Sequence, residues 1–153
     1  MSDNGVRTRP AEPGDIDELG PLKLRASLAW GDHVEELLAL PEARIFPQPH
    51  LPFAIVAELA GVIAGFATLL PPANAEAEIE DLFVAPPLWR KGIGRALMAA
   101  LEARALSLGA SSLHVIANNR ALPFYRSAGF EIVGTVATRF APAPEMRKAL
   151  AQG

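Results

Sequence analysis

Gly92 and Gly94 stand one residue apart in the stretch from Trp89 to Arg95, WRKGIGR, which joins an apolar, strand-like run to a helix-like one. Glycines at a helix entrance remove side chains where a ligand would approach, and the first turn of a helix presents N–H groups that have no partner within it. A phosphate group is well held by such an entrance, and Arg90, Lys91 and Arg95 would add charge-assisted contacts. A pyrophosphate is therefore one reading of the stretch, and a tight turn ahead of a helix is the other. Two dinucleotide motifs do not fit it. A Rossmann fingerprint needs a third glycine where Leu97 stands, and a P-loop needs Gly-Lys-Ser or Gly-Lys-Thr, which the chain lacks there.

Few other side chains are placed for chemistry. Glu78 and Glu80 alternate along one run, and Tyr125 is the single tyrosine. His33, His50 and His114 are far apart without the spacing of a ligand set, so no metal site is expected. The chain has no cysteine, which excludes disulfides, thiolate metal sites and a cysteine nucleophile. Any thiol in the reaction must arrive with a ligand.

The elements that must position these groups follow from periodicity. Residues 6–9 read as a first strand, after which Asp15 is expected to cap a helix through Ile16, Leu19, Leu22 and Leu24, interrupted at Pro21. A second short helix is expected from Asp32 to Pro41, and the proline-rich residues 41–52 read as a loop. Two apolar runs around Leu59-Ala60-Gly61 predict a hairpin. Residues 76–84 predict a strand with Ile79, Asp81 and Phe83 on one face and Glu78, Glu80, Leu82 and Val84 on the other. Helical spacing of Ile93, Leu97, Ala100, Leu101, Ala105 and Leu108 predicts a helix that stops at Gly109. A strand at 112–117, a short helix entered near Ala121 and carrying Pro123 in its first turn, and a strand at 130–138 follow. Residues 141–150 fit either strand or helix.

Composition narrows the class. With 153 residues, 50% of them hydrophobic and 20% charged, the chain is expected to fold as one domain spanning 1–153. A formal charge of -3 gives no general basic field for nucleic acid. The polar N-terminal stretch and the absence of a long apolar window lead us to expect no membrane partner and a cytoplasmic location.

Two separated signatures resemble the GNAT superfamily of acetyl-coenzyme-A-dependent N-acyltransferases. The stretch DLFVAP followed by WRKGIGRAL resembles the coenzyme-A loop, except that Trp89 stands where the family has Gln or Arg and Arg90 is displaced by one position. The second, NNRALPFYRSAGF, places Asn118, Ala121, Tyr125, Gly129 and Phe130 in register with the family pattern. The resemblance implies an α/β (α+β) fold with a mixed, mostly antiparallel central sheet of about six to seven strands, flanked by helices and splayed centrally for acyl-CoA. It further implies acetyl-CoA as acyl donor, without a metal, and cofactor contacts from Leu82, Phe83, Val84, Arg90, Lys91, Gly92, Ile93, Gly94, Arg95, Asn118 and Tyr125.

Acetylation of an amine needs the neutral nucleophile, and removing the proton of a lysine-like amine at neutral pH costs about 4.6 kcal/mol. Glu78 and Glu80 are the candidate bases, either directly or through a water; the plainer reading of each is a solvated strand carboxylate. Tyr125 occupies the family's leaving-group acid position, with a packed aromatic as the plainer reading. Asn118 either contacts the pantetheine arm or caps a turn, and these roles are compatible. The expected partner is a small-molecule or peptide amine, and a homodimer is compatible with the superfamily. The competing function is a non-catalytic module that binds or senses acyl-CoA.

Overall fold

The computed structural model describes residues 5–150, so residues 1–4 of the polar opening stretch and 151–153 lie outside it. Seven strands form one sheet in the order β1-β2-β3-β4-β5-β7-β6. The strands are β1 (Val6–Pro10), β2 (Ala54–Leu59), β3 (Val62–Ala73), β4 (Glu76–Val84), β5 (Ser112–Ile116), β6 (Glu131–Val136) and β7 (Ala143–Ala149). The helices are α1 (Ile16–Leu28), α2 (Val34–Ala39), α3 (Ile93–Ser107) and α4 (Leu122–Ser127). The mixed sheet and the helix order are those expected, and the ambiguous final segment is a strand. Among the described residues, no helix is long and apolar enough to cross a membrane.

The chain divides into two compact units: Met1–Thr68 with Asp81–Ala100, and Leu69–Glu80 with Leu101–Gly153. In the first, β2 and β3 form the expected hairpin, and Ala60 and Gly61 both take positive φ, as a tight two-residue turn requires. Its core joins Leu19 and Leu22 of α1 to Phe46, Ala54, Val56 and Phe66. Leu19 and Leu22 are essentially fully buried, each worth about 1.5–3 kcal/mol of transfer from water. Phe66 meets Phe46 edge-on, with ring centroids 5.6 Å apart, and lies 5.6 Å from Phe83 of β4.

Two expectations about α1 are corrected. Pro21 does not interrupt it, because the residue lies on the exposed face, where water can serve the carbonyl that loses its helical donor. Asp15 does not cap α1. Its Oδ2 instead accepts from the Glu12 N–H at 2.7 Å, closing the preceding 3₁₀ turn, while Arg9 holds both carboxylate oxygens. The second helix also starts later than expected, at Val34, since His33 takes φ 55° and breaks the helical run from Asp32.

The second unit is built on β5, β6 and β7. β5 runs parallel to β4, pairing Glu76 to Ile79 with Ser112 to Val115, and antiparallel to β7. β7 lies between β5 and β6, and its residues Ala143, Pro144 and Met146 are buried, as are Leu113, Val115 and Phe130. On α3, Leu101 and Ala105 are buried as expected, whereas Leu108 is 51% exposed because the helix ends at Ser107 and Gly109 turns the chain at φ 86°.

Candidate active site

The first unit contains the glycine stretch and the end of β4. Pro86 and Pro87 open a single 3₁₀ turn, Pro86–Leu88, closed by Leu88 N–H to Ala85 O at 2.8 Å and Trp89 N–H to Pro86 O at 3.1 Å. Trp89 then folds back, its indole Nε1–H donating to Val84 O at 2.8 Å and its ring lying 4.6 Å from that of Trp30. The tryptophan at the motif's departure from the family pattern is therefore a strap across the turn as well as a packed ring. Trp30 and Trp89 lie 59 positions apart, and no local pattern in the sequence signals that they meet.

Beyond the strap, Arg90 at φ 66° and Gly92 at φ 84° are both left-handed, while Lys91 between them is not. This alternation turns successive N–H groups toward one side, making a concavity that suits an anion. A non-glycine residue there is strained, by about 1–3 kcal/mol. α3 begins immediately afterwards, its first helical bond running from Ala96 N–H to Gly92 O at 3.0 Å. The N–H groups of Ile93, Gly94 and Arg95 thus precede any intrahelical acceptor.

The charges reinforce that geometry. Arg90, Lys91 and Arg95 are all exposed, and the first turn of α3 has no acidic residue. Cations at a helix N-terminus oppose its dipole, at about 0.3–1 kcal/mol each, so this arrangement is unfavourable until an anion is present. A phosphate-bearing ligand fits these residues.

Gly65 of β3 sets the height of this loop. A Cβ there would sit 2.7 Å from Phe83 O and 3.3 Å from both Ile93 Cγ2 and Leu97 Cδ1. Only glycine lets β4 and the first turns of α3 approach β3 this closely.

The other expected residues belong to the second unit. Tyr125 on α4 is 5% exposed, clamped edge-on between Phe124 at 5.3 Å and Phe130 at 5.4 Å. Asn118 serves as a cap, its Oδ1 accepting from Arg120 N–H at 2.7 Å. Glu78 is half-buried on β4 in register with His114, and Glu80 is exposed. The neighbouring Glu76 is tied to Arg147 at 2.5 Å and to Ser112 at 2.9 Å, and the Arg147 hydrogen bond holds its carboxyl below the usual value. His114 Nε2 lies 2.7 Å from Glu145 Oε2. Leu82 to Arg95 therefore come together in one unit, and Glu78, Glu80, Asn118 and Tyr125 in the other.

One polar side chain escaped notice as a candidate. Asp81, one residue before Leu82, is 7% exposed, and burial raises its carboxyl above the ordinary value. The sequence showed it on the face of Ile79 and Phe83. That alternation was the available signal, since a carboxylate between two core positions is unusual.

Comparison with known proteins gives the family and the fold. Residues 24–130 match the model of the acetyltransferase (GNAT) family. Among solved structures, PaiA N-acetyltransferase from Thermoplasma acidophilum, in complex with coenzyme A, superposes with a TM-score of 0.80 at 19% identity, over 97% of this chain and 99% of that one. A GCN5-related N-acetyltransferase from Rhodopseudomonas palustris gives 0.76 at 26% identity, over 98% and 99%. N-acetylglutamate synthase from Neisseria gonorrhoeae, complexed with coenzyme A and N-acetyl-glutamate, gives 0.71 at 23% identity; the match covers 96% of this chain but 35% of that one. No curated protein matches the sequence significantly.

Proposed function

Because the chain belongs to the acetyltransferase (GNAT) family of enzymes, we propose that it transfers an acetyl group from acetyl-CoA to a primary amine of a small-molecule or peptide acceptor, by direct attack on the thioester and as a single domain. The observation that carries this reading is the start of α3, where left-handed Arg90 and Gly92, unpaired first-turn N–H groups and three cations surround a place for a pyrophosphate. When bound, acetyl-CoA supplies the activated acetyl carbon and a thiol leaving group.

The chain's own residues divide the remaining work. Gly92 to Arg95 hold the diphosphate through main-chain N–H groups, with Arg90 and Lys91 adding charge. Leu82 and Val84 lie on β4 past Ile79, the last residue paired with β5, and alternate with Phe83, whose carbonyl is directed at Gly65. Their backbone groups suit the amides of an extended pantetheine arm, and Asn118 holds the turn ahead of α4. Glu78, Glu80 or a water held by one of them takes the amine proton, and the Tyr125 phenol returns a proton to the departing sulfur. The chain has no cysteine, which favours direct attack over an acyl-enzyme.

Calorimetric titration with coenzyme A and acetyl-CoA, followed by a thiol-release assay over a panel of amines, tests the reading. Binding with acceptor-dependent thiol release is expected. Binding without release on any amine would favour an acyl-CoA sensor, and no binding would remove the pyrophosphate assignment.

A further inference from the structure

The turn that leads into the glycine stretch uses up its own donors before the stretch begins. Ala85 N–H goes to Ala64 O at 2.8 Å, Pro86 and Pro87 have no N–H, and Leu88 and Trp89 bond back to Ala85 O and Pro86 O. From Ala85 to Trp89 the one donor left is a side chain, the Trp89 indole. It too is used internally, on Val84 O at 2.8 Å. Trp89 therefore keeps no hydrogen bond for a ligand. A Gln or Arg, which the family has at this position, would have N–H groups to spare.

The ring of Trp89 is anchored through α1. Leu19, Leu22 and Ala26 are buried on that helix, and its end is closed by Ala29 N–H to Arg25 O at 3.1 Å and Gly31 N–H to Leu28 O at 3.0 Å. Trp30 lies between these two bonds, and its ring meets that of Trp89 at 4.6 Å with a tilt of 33°. Both tryptophans are half-buried. The core of the first unit thus reaches the loop through α1, Trp30 and Trp89. The residues beyond need that support, since Arg90 is left-handed at φ 66° and three cations stand at the entrance of α3. Each feature is unfavourable by itself. Without a brace the stretch would relax, and ligand binding would carry the cost of ordering it.

We propose that Trp89 is a positioning residue for the acyl donor: its indole N–H on Val84 O and its stack on Trp30 hold residues 90–95 in the diphosphate-binding form before any ligand arrives. The identity of the ligand rests on the acetyltransferase reading; the brace does not. Trp89 gives up a side-chain contact to the donor in return for a loop set in advance. Its effect enters affinity and leaves the chemical step alone.

The test uses the full chain, with inorganic pyrophosphate and coenzyme A as calorimetric probes and hydrogen-exchange NMR of the Trp89 indole N–H. In the ligand-free protein that N–H is expected to exchange at least tenfold more slowly than a free indole. Trp89→Phe keeps a ring against Trp30 and removes the N–H. It should weaken both probes at least fivefold and raise the KM for acetyl-CoA by the same factor, with kcat and melting temperature close to wild type. Trp30→Leu should act in the same direction to a smaller extent and speed exchange of the Trp89 indole N–H, and it carries the test should Trp89→Phe fail to fold. Full affinity for the probes in Trp89→Phe, a loss confined to kcat, an unprotected indole in the wild type, or no binding of either probe would overturn the proposal. If the wild type binds pyrophosphate in a Trp89-dependent way but does not bind coenzyme A, the acyl-donor reading fails and the brace stands.

Discussion

Tyr125 is held by aromatic edges on two sides, which fixes the ring before any ligand arrives. Its assignment as the acid for the departing sulfur makes a definite prediction. Tyr125→Phe is expected to retain coenzyme-A affinity and lose at least about tenfold in turnover, equivalent to about 1.4 kcal/mol of barrier. Equal turnover in a stopped-flow thiol-release assay would reduce the residue to packing. At this scale the sequence was most informative where a side chain is missing or a charge repeats: Gly92, Gly94 and the flanking Arg90, Lys91 and Arg95 could be read directly. The burial of Asp81 was less legible, because it comes from the folded surroundings of β4, and the groups that favour its charge, Thr68, Lys23 and His50, are distant in sequence. Trp89 shows the same limit, since the partners of its indole became visible only once the turn was folded.

Among elements, β3 has the least freedom. Gly65→Ala would place a methyl group against the Phe83 carbonyl, a backbone atom that cannot move aside as a side-chain tip can. The expected cost is about 1–3 kcal/mol in chemical denaturation, and coenzyme-A affinity should fall with it as the start of α3 is displaced. A variant that keeps both would show that β3 does not set the loop. Long amphipathic or β-branched elements, such as α3 and the β2–β3 hairpin, were legible because their periodicity is local. Pro21 misled because the effect of a proline depends on which face of the helix it occupies, and α1 turns it to solvent. Residues 141–150 stayed ambiguous because the buried Ala143, Pro144 and Met146 do not follow the strict alternation of a one-sided strand.

At the scale of the whole molecule, the strand order was the least accessible to sequence reading, since nothing local announces that β7 enters between β5 and β6. The two units do share one pH response. Asp15, bonded by Arg9, lies below its ordinary 3.8, and Glu76, bonded by Arg147, lies below 4.5. A lowered carboxyl contributes stability that is present above its ordinary value and lost as pH falls through the lowered one. Asp81 has the opposite sign: its contribution is complete below 3.8 and is lost as pH rises through its raised value. The melting temperature is therefore expected to decline on the acid side of 4.5, and Glu76→Gln to flatten that limb. An acid limb unchanged by Glu76→Gln would assign the sensitivity elsewhere.

The stacked rings of Trp30 and Trp89 have an optical consequence. The chain contains two tryptophans, and both stand at this one place, immediately before the cationic stretch. All indole emission of the protein therefore originates beside the proposed diphosphate site, and the unlabelled molecule carries its own fluorescent gauge of what arrives there.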